Sequence, residues 1–279
     1  MPDDTPVVDT AVSFGVAPVL LLSTLGPDGT FDSRLASMLF DDPAATENLI
    51  LQLLSVMKDK GYRGIDVDFE YILPEDKDRY SAFIALLTER MNAEGLEVMV
   101  ALAPKTAPDQ KGLLYEGHDY AALGRNANAL LLMTYEWGYA FGPPGAIAPI
   151  NKVEEVIDYA LSEIPADKIF LGIPNYGYDW TLPFTPGQGR AKTISPGQAV
   201  ELAAKYRAEI LYDPQTASPY FYYTAEDGKR HAVHFEDVRS YREKFRLLAR
   251  KGLAGLSVWT VMNDTPPLFL LANSLFEIL

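Results

Sequence analysis

The fold is decided by Gly64-Ile65-Asp66-Val67-Asp68-Phe69-Glu70-Tyr71. Ile65, Val67 and Phe69 alternate with Asp66, Asp68 and Glu70. A period of two predicts a strand with three carboxyl groups on one face and three apolar groups on the other. A surface strand would not need large apolar groups on its second face, and a plain core strand would not carry three acids. Neighbouring like charges raise one another's pKa. Such crowding is tolerated where an acid must stay protonated near neutral pH. The competing readings are an exposed acidic edge strand and an incidental cation site.

Outward from this stretch the chain alternates strands and helices. Ala17 to Thr24 reads as a buried strand, Ala44 to Lys60 as an amphipathic helix and Asp76 to Glu94 as another, with the charge run Asp76-Lys77-Asp78 on a solvated helix face. Leu96 to Ala103 predicts a strand, His118 to Ala127 a short helix, Ala129 to Tyr135 a strand and Val153 to Ile164 a helix. Ile169 to Pro174 is a strand leading into an aromatic loop, Asn175 to Trp180. Residues 182–238 break the pattern, being rich in Pro, Gly and Tyr. They hold one helix, Gly197 to Arg207, and a hairpin pairing Tyr220 to Thr224 with His231 to Phe235 around Asp227-Gly228. Helix Asp237 to Lys251, strand Leu253 to Thr260 and a closing helix from Pro267 to Ile278 resume the regular order.

Repeated strand–helix units with apolar strands imply an α/β fold, a parallel sheet covered by helices. Glu70, Tyr135, Tyr176 and Trp259 fall late in strands or just beyond them. Active residues at C-terminal strand ends mark a TIM-type (β/α)8 barrel. The expected organisation is a first barrel segment over 1–181, a small α+β insertion over 182–238 and a second barrel segment over 239–279. A doubly wound sheet is the alternative and would bring a glycine-rich phosphate turn. Gly187-Gln188-Gly189-Arg190 lacks the preceding strand and the spacing of one, and reads as an ordinary loop. The strands begin near residues 17, 64, 96, 129, 169 and 253, so two of the eight are expected to be missing at the N-terminal side.

Composition narrows the function. Lys and Arg number 24 against 38 Asp and Glu, a net charge of −14. That balance argues against nucleic acid and anionic membranes as partners and suits a neutral glycan. There is no cysteine, hence no disulfide or thiolate chemistry. The start MPDDTPVVDT has no signal-peptide h-region, and no apolar run reaches the roughly 18 residues of a membrane span. His231-Ala232-Val233-His234 lacks the Glu of a zinc hydrolase motif, so no metal and no cofactor are expected.

Glu70 is the candidate proton donor to a leaving-group oxygen, with Asp68 supplying the like charge that raises its pKa. A conventional glycosidase needs a second carboxylate across the scissile bond. Asp68 shares a strand with Glu70 and is badly placed for that; Glu136 is a possible partner. Substrate-assisted hydrolases need none, because the sugar's 2-acetamido group is the nucleophile. Asp68 would then orient that group and Asp66 would adjust the protons along the strand.

Arg63-Gly64-Ile65-Asp66-Val67-Asp68-Phe69-Glu70 resembles the D-G-x-D-x-D-x-E signature of glycoside hydrolase family 18, with Arg63 where the first Asp would stand. LMTYEWGYAFGPPGAIAP (132–149), KIFLGIPNYGYDWTLP (168–183), HFEDVRSYREK (234–244) and GLSVWTV (255–261) resemble its spore-cortex-lytic and germination branch. The resemblance implies Glu70 as general acid/base, Asp68 as the acid positioning the acetamido group and Asp66 as the inner acid. It implies Tyr135 as a hydrogen-bond donor to the oxazolinium-like intermediate and Trp259 as the floor of a sugar subsite. Glu136 stands where many members have Asp. Tyr176, Tyr178, Asp179 and Trp180 fall in a cleft-lining segment, and Trp137 and Trp180 are expected to line the cleft.

The implied activity is hydrolysis of β-linked N-acetylglucosamine, with spore peptidoglycan fragments as substrate and a spore or cell-wall location. A chitinase and a non-catalytic glycan-binding module are the competing readings. The resemblance also implies two barrel strands ahead of residue 17. The strands starting near 17 and 253 are therefore expected to be open edges through which the chain could self-associate.

Overall fold

The computed structural model describes residues 3–278. The chain begins with helix α1 (Thr5–Ser13), strand β1 (Val19–Ser23) and helices α2 (Ser33–Asp41) and α3 (Pro43–Lys60). Strand–helix alternation continues with β2 (Gly64–Asp68), α4 (Lys77–Asn92), β3 (Glu97–Leu102), α5 (Tyr120–Asn126), β4 (Ala129–Leu132), α6 (Ile150–Glu163) and β5 (Ile169–Pro174). A second group follows: β6 (Gly177–Leu182), β7 (Lys192–Ile194), α7 (Pro196–Tyr206), β8 (Leu211–Asp213), β9 (Ser218–Thr224) and β10 (Arg230–His234). The chain then runs through α8 (Val238–Lys251), β11 (Gly255–Trp259) and α9 (Pro266–Leu275). The six parallel strands are the six read from the sequence, in the order β1-β2-β3-β4-β5-β11, with β1 and β11 at the ends. The small strands form a five-stranded sheet, β7-β6-β10-β9-β8. Among the described residues no helix is long and apolar enough to cross a membrane.

Contacts divide the chain into two compact units. The first comprises residues up to Leu132 and Tyr159–Phe170. Its sheet has a parallel register that pairs Leu21 with Asp66 and Asp66 with Met99. The neighbouring row runs Leu22, Val67, Val100 and Leu130. Side chains in one row share a face, so Asp66 and Asp68 stand opposite the apolar row. Ile65, Val67, Val98, Val100 and Leu130 are fully buried. Beyond them Phe69 stacks on Phe83 with 5.8 Å between ring centroids and on Tyr80 at 5.9 Å. Helix α3 starts because Pro43 occupies its first turn and the Asp42 side chain accepts from the Ala44 and Ala45 amides. It ends at Gly61, whose φ of 80° suits a residue without Cβ.

Two expectations for this unit change. Helix α2 was not anticipated; it is capped by the Asp32 side chain on the Arg34 amide. Asp76, read as part of a solvated helix face, is buried and holds Ser37 and Arg79. A short run of charges is silent about which member turns inward.

The second unit comprises 133–158 and 171–279. Its hairpin forms as expected but one residue out of the expected register: Tyr220 pairs with His234 and Thr224 with Arg230, so the second strand is Arg230–His234 rather than His231 to Phe235. Asn175 to Trp180 is not the expected loop, because β6 begins at Gly177 and pairs antiparallel with β10. A Cβ at Gly177 would lie 2.4 Å from the His234 carbonyl oxygen, so only glycine permits that approach. The glycine that reads as a loop signal in fact allows two strands to close. Helix α7 starts with a capping box between Ser195 and Gln198 and covers Ile194, Phe221 and Val233.

Helix α8 is anchored by an ion pair inside the protein. Lys244 Nζ donates to Glu236 Oε2 at 2.7 Å, with both side chains wholly buried. Burial raises the Glu236 pKa, and the Lys244 charge opposes that rise. Removing one partner of such a pair leaves an uncompensated charge and typically costs about 3–5 kcal/mol. Lys244→Met is expected to lose that much in urea denaturation, and pairing it with Glu236→Gln should restore at least half. A loss below about 1 kcal/mol in the single variant would show that the pair does not anchor α8.

Candidate active site

In the first unit the site is built on the end of β2. Strand geometry stops at Asp68, two residues earlier than the alternation suggests, and Glu70 follows the strand end. Tyr71 has φ of 56°, a left-handed conformation uncommon for a residue with Cβ. Residues held that way cluster at functional sites. The backbone around Glu70 is pinned on both sides. His118 Nε2 lies 3.2 Å from the Phe69 carbonyl oxygen, and Ser33 Oγ donates to the Tyr71 carbonyl at 2.6 Å.

The His118 tautomer follows from its partners. The Ala103 amide donates to Nδ1 at 3.3 Å, so Nε2 carries the proton that goes to Phe69. Burial drives the His118 pKa down to about 4, which keeps the ring neutral and both bonds intact. His118 thus links the end of β3 to the residue before Glu70. Neither His118 nor Ser33 was singled out from the sequence. A buried histidine after a strand has no local signal that names its partner.

Asp66 and Asp68 are half-buried beside one another. Burial raises Asp66 to about 6, and the Asp68 charge adds to the rise. Burial alone raises Asp68 to about 6. The Oδ1 atom of each is buried and has no hydrogen-bond partner among the described residues. The pair therefore holds protons well above the usual carboxylate range and keeps free acceptor capacity.

In the second unit Glu136 also has a left-handed backbone, with φ of 63°. Tyr178 Oη donates to Glu136 Oε1 at 2.7 Å and Tyr176 Oη to the same oxygen at 3.2 Å. Burial first, then the Glu136 charge, pushes both phenols above their ordinary pKa. Tyr135 packs edge-on against Tyr176 at 6.5 Å. Tyr176 and Tyr178 are buried, so the phenols orient Glu136 rather than presenting open ring faces.

Trp180 corrects an expectation. It is 1% exposed, lies in a cluster with Ala140, Ile147 and Tyr178, and donates from Nε1 to the Gly142 carbonyl at 2.9 Å. It is core, because it falls on the buried face of β6 rather than in a loop. Asp179 points to the other face, as strand alternation requires, and bonds His231 and Tyr223. Trp137 is half-buried, its Nε1 buried without a partner among the described residues.

Trp259 is 51% exposed and its peptide bond to Thr260 is cis. The Asn175 amide donates to the Trp259 carbonyl at 3.0 Å. The Asn175 side chain accepts from the Thr260 amide at 2.6 Å and donates to the Thr260 carbonyl at 2.8 Å. This buried asparagine fixes the turn after Trp259 and was missed as a positioning residue. Its place between strand β5 and two aromatic positions was the only signal. Among the described residues no three His, Asp or Glu side chains gather to hold a metal ion.

The acids on and just after β2, together with the strand–helix order, define a class: the profile of Glycosyl hydrolases family 18 matches residues 22–264. The chain belongs to that family. Among its relatives is the cortical fragment-lytic enzyme of Bacillus subtilis (strain 168), 40% identical over 260 residues that cover 93% of this chain and 60% of that protein. The putative sporulation-specific glycosylase YdhD of the same organism is 32% identical over 270 residues, covering 96% of this chain and 63% of its own length. The crystal structure of the Bacillus megaterium QM B1551 spore cortex-lytic enzyme SleL is similar with a TM-score of 0.94 at 40% identity, covering 98% of this chain and 62% of that one. A chitinase from Chromobacterium violaceum ATCC 12472 gives 0.90 at 29% identity, covering 98% of this chain and 84% of that one. The chain thus spans about 60% of the cortical fragment-lytic enzyme it matches.

The raised carboxyl pKa values carry a stability consequence. The folded Asp66 pKa of about 6 lies above the ordinary value of 3.8, so the native state binds more protons between those pH values. Stability therefore falls as pH rises through this window and stays reduced above it. Asp66→Asn is expected to raise stability at pH 7 by on the order of 1–3 kcal/mol, with the gain shrinking toward pH 4. Thermal denaturation across that range checks it; a gain equal at both ends would exclude the burial of an ionised Asp66 as its cause.

Proposed function

We propose that the chain is a retaining, substrate-assisted hydrolase of β-linked N-acetylglucosamine in spore cortex peptidoglycan fragments. The observation that carries this reading is the pair of half-buried, high-pKa carboxyls, Asp66 and Asp68, on the strand that leads into Glu70. No protein nucleophile is assigned. The acetamido oxygen of the substrate attacks C1 while Glu70 gives its proton to the leaving oxygen, breaking the glycosidic bond and closing an oxazolinium ring. Glu70, now a carboxylate, takes a proton from water, and that water opens the ring at C1. Two inversions at C1 give net retention. Asp68 accepts the acetamido N–H and stabilises the ring's positive charge, while Asp66 shares the pair's protons.

Family resemblance assigns Tyr135 a hydrogen bond to the intermediate and Trp259 the sugar floor, and Glu136 and Trp137 are read as substrate contacts, whereas both carboxylate oxygens of Asp179 are engaged by Tyr223 and His231. Tyr176 and Tyr178 act through Glu136, to which both are bonded. Similarity to the Chromobacterium violaceum chitinase favours a second reading, hydrolysis of chitin oligomers. Product analysis on cortex muropeptides against chitin oligomers separates the two.

Glu70→Gln is expected to lower turnover by about 10²–10⁴-fold while oligosaccharide binding persists. Hydrolysis within tenfold of the parent chain would remove Glu70 from the mechanism. Proton NMR of the first product should show the β anomer.

A further inference from the structure

Two motifs left outside the proposed site meet in the second unit. Gln188, Gly189 and Arg190 of the loop Gly187-Gln188-Gly189-Arg190 and His231 of the His231-Ala232-Val233-His234 segment line one pocket of about 410 Å³ on the antiparallel sheet. Asp179 and Thr181 of β6 face it, whereas Tyr178 and Trp180 lie on the opposite face of that strand.

The floor of the pocket is a fixed network. His231 Nδ1 bonds Asp179 Oδ1 at 2.8 Å, Tyr223 Oη donates to Asp179 Oδ2 at 2.8 Å, and the Tyr223 ring stacks on His231 at 4.7 Å. Both carboxylate oxygens of Asp179 are thereby engaged within the protein. Nδ1 carries the proton on the bond to Asp179, which leaves His231 Nε2 as an acceptor in the neutral ring. The rim carries Arg190, Lys192 and Lys229. Lys229 is shared with Asp227 at 3.3 Å, and Arg190 reaches Thr193 Oγ1 at 3.3 Å and also interacts with the Tyr178 hydroxyl. Lys192 makes no ion pair among the described residues. In a chain with 24 cationic and 38 anionic side chains, Arg190, Lys192 and Lys229 around Asp179, with Asp227 on Lys229, leave a local excess of positive charge.

We propose that this pocket is a subsite for a carboxylate of the substrate, held by Lys192, Lys229 and Arg190, with an adjacent amide N–H donating to His231 Nε2. A carboxylate beside an amide N–H is the chemistry of the peptide substituents of peptidoglycan and is lacking in chitin. The inference rests on the peptidoglycan reading above and deepens it. It assigns Asp179 the role of holding His231 rather than touching a sugar.

Isothermal titration calorimetry on the whole chain tests it, using a muropeptide with free carboxylates, the same muropeptide converted to carboxamides, and sodium acetate alone. The free acid is expected to bind at least about tenfold more tightly than the amide, about 1.4 kcal/mol. Lys192→Ala combined with Lys229→Ala should reduce that preference to below about twofold, and the corresponding Arg pair should keep it. No acid preference in the parent chain, a preference undiminished in the Ala pair, or acetate binding as tightly as the muropeptide would each overturn the subsite. Hydrolysis of neutral N-acetylglucosamine oligomers by the parent chain is read separately. Hydrolysis without acid preference overturns the subsite alone, and absence of both hydrolysis and muropeptide binding overturns the functional reading with it.

Discussion

The constraint on which the first unit depends is the burial of two neighbouring carboxyl groups on one strand. Water would hold Asp66 and Asp68 ionised; the sheet withdraws it and pushes both to about 6. That unfavourable placement persists only because the opposite face of the strand is strongly favourable. Ile65 and Val67 are fully buried there, and Phe69 stacks between Tyr80 and Phe83. Burying a large apolar side chain contributes roughly 1.5–3 kcal/mol, so three such groups are of the size needed to offset the loss at the acids. Alternation is what allows one strand to carry both terms.

The second unit uses strand alternation for a different division. One face of β6 presents Tyr178 and Trp180 to a closed aromatic cluster that orients Glu136. The other presents Asp179 to His231 of the adjacent β10 and to Tyr223 of β9, one strand further. Six consecutive residues thus serve two polar networks with no side chain in common. A side-chain amide does comparable work next to them, where Asn175 ties its own strand end to the turn after Trp259.

Much of this was legible in the sequence, and what was not has identifiable causes. All six parallel strands were readable because buried parallel strands are continuous apolar runs. The acids of β2 were readable because their spacing is local. Strand β6 was not, because a stretch of Asn, Gly and aromatics resembles a loop until Gly177 is seen against the His234 carbonyl. Trp180 was misplaced for the same reason: without the strand there is no alternation to assign it a face. His118 and Asn175 were invisible because their meaning lies in partners 49 and 85 residues away. Asp76 shows the limit of reading charge runs, since only the fold decides which acid is enclosed.

The pair formed by Lys244 and Glu236 has a consequence in temperature. The penalty for withdrawing charges from water shrinks on heating, because the hydration of ions has a strongly negative entropy, whereas apolar burial gains little further. A wholly enclosed pair is therefore a poor stabiliser in the cold and a better one in the heat. Helix α8 should keep its attachment to the segment after β10 as conformational entropy increasingly opposes folding on heating.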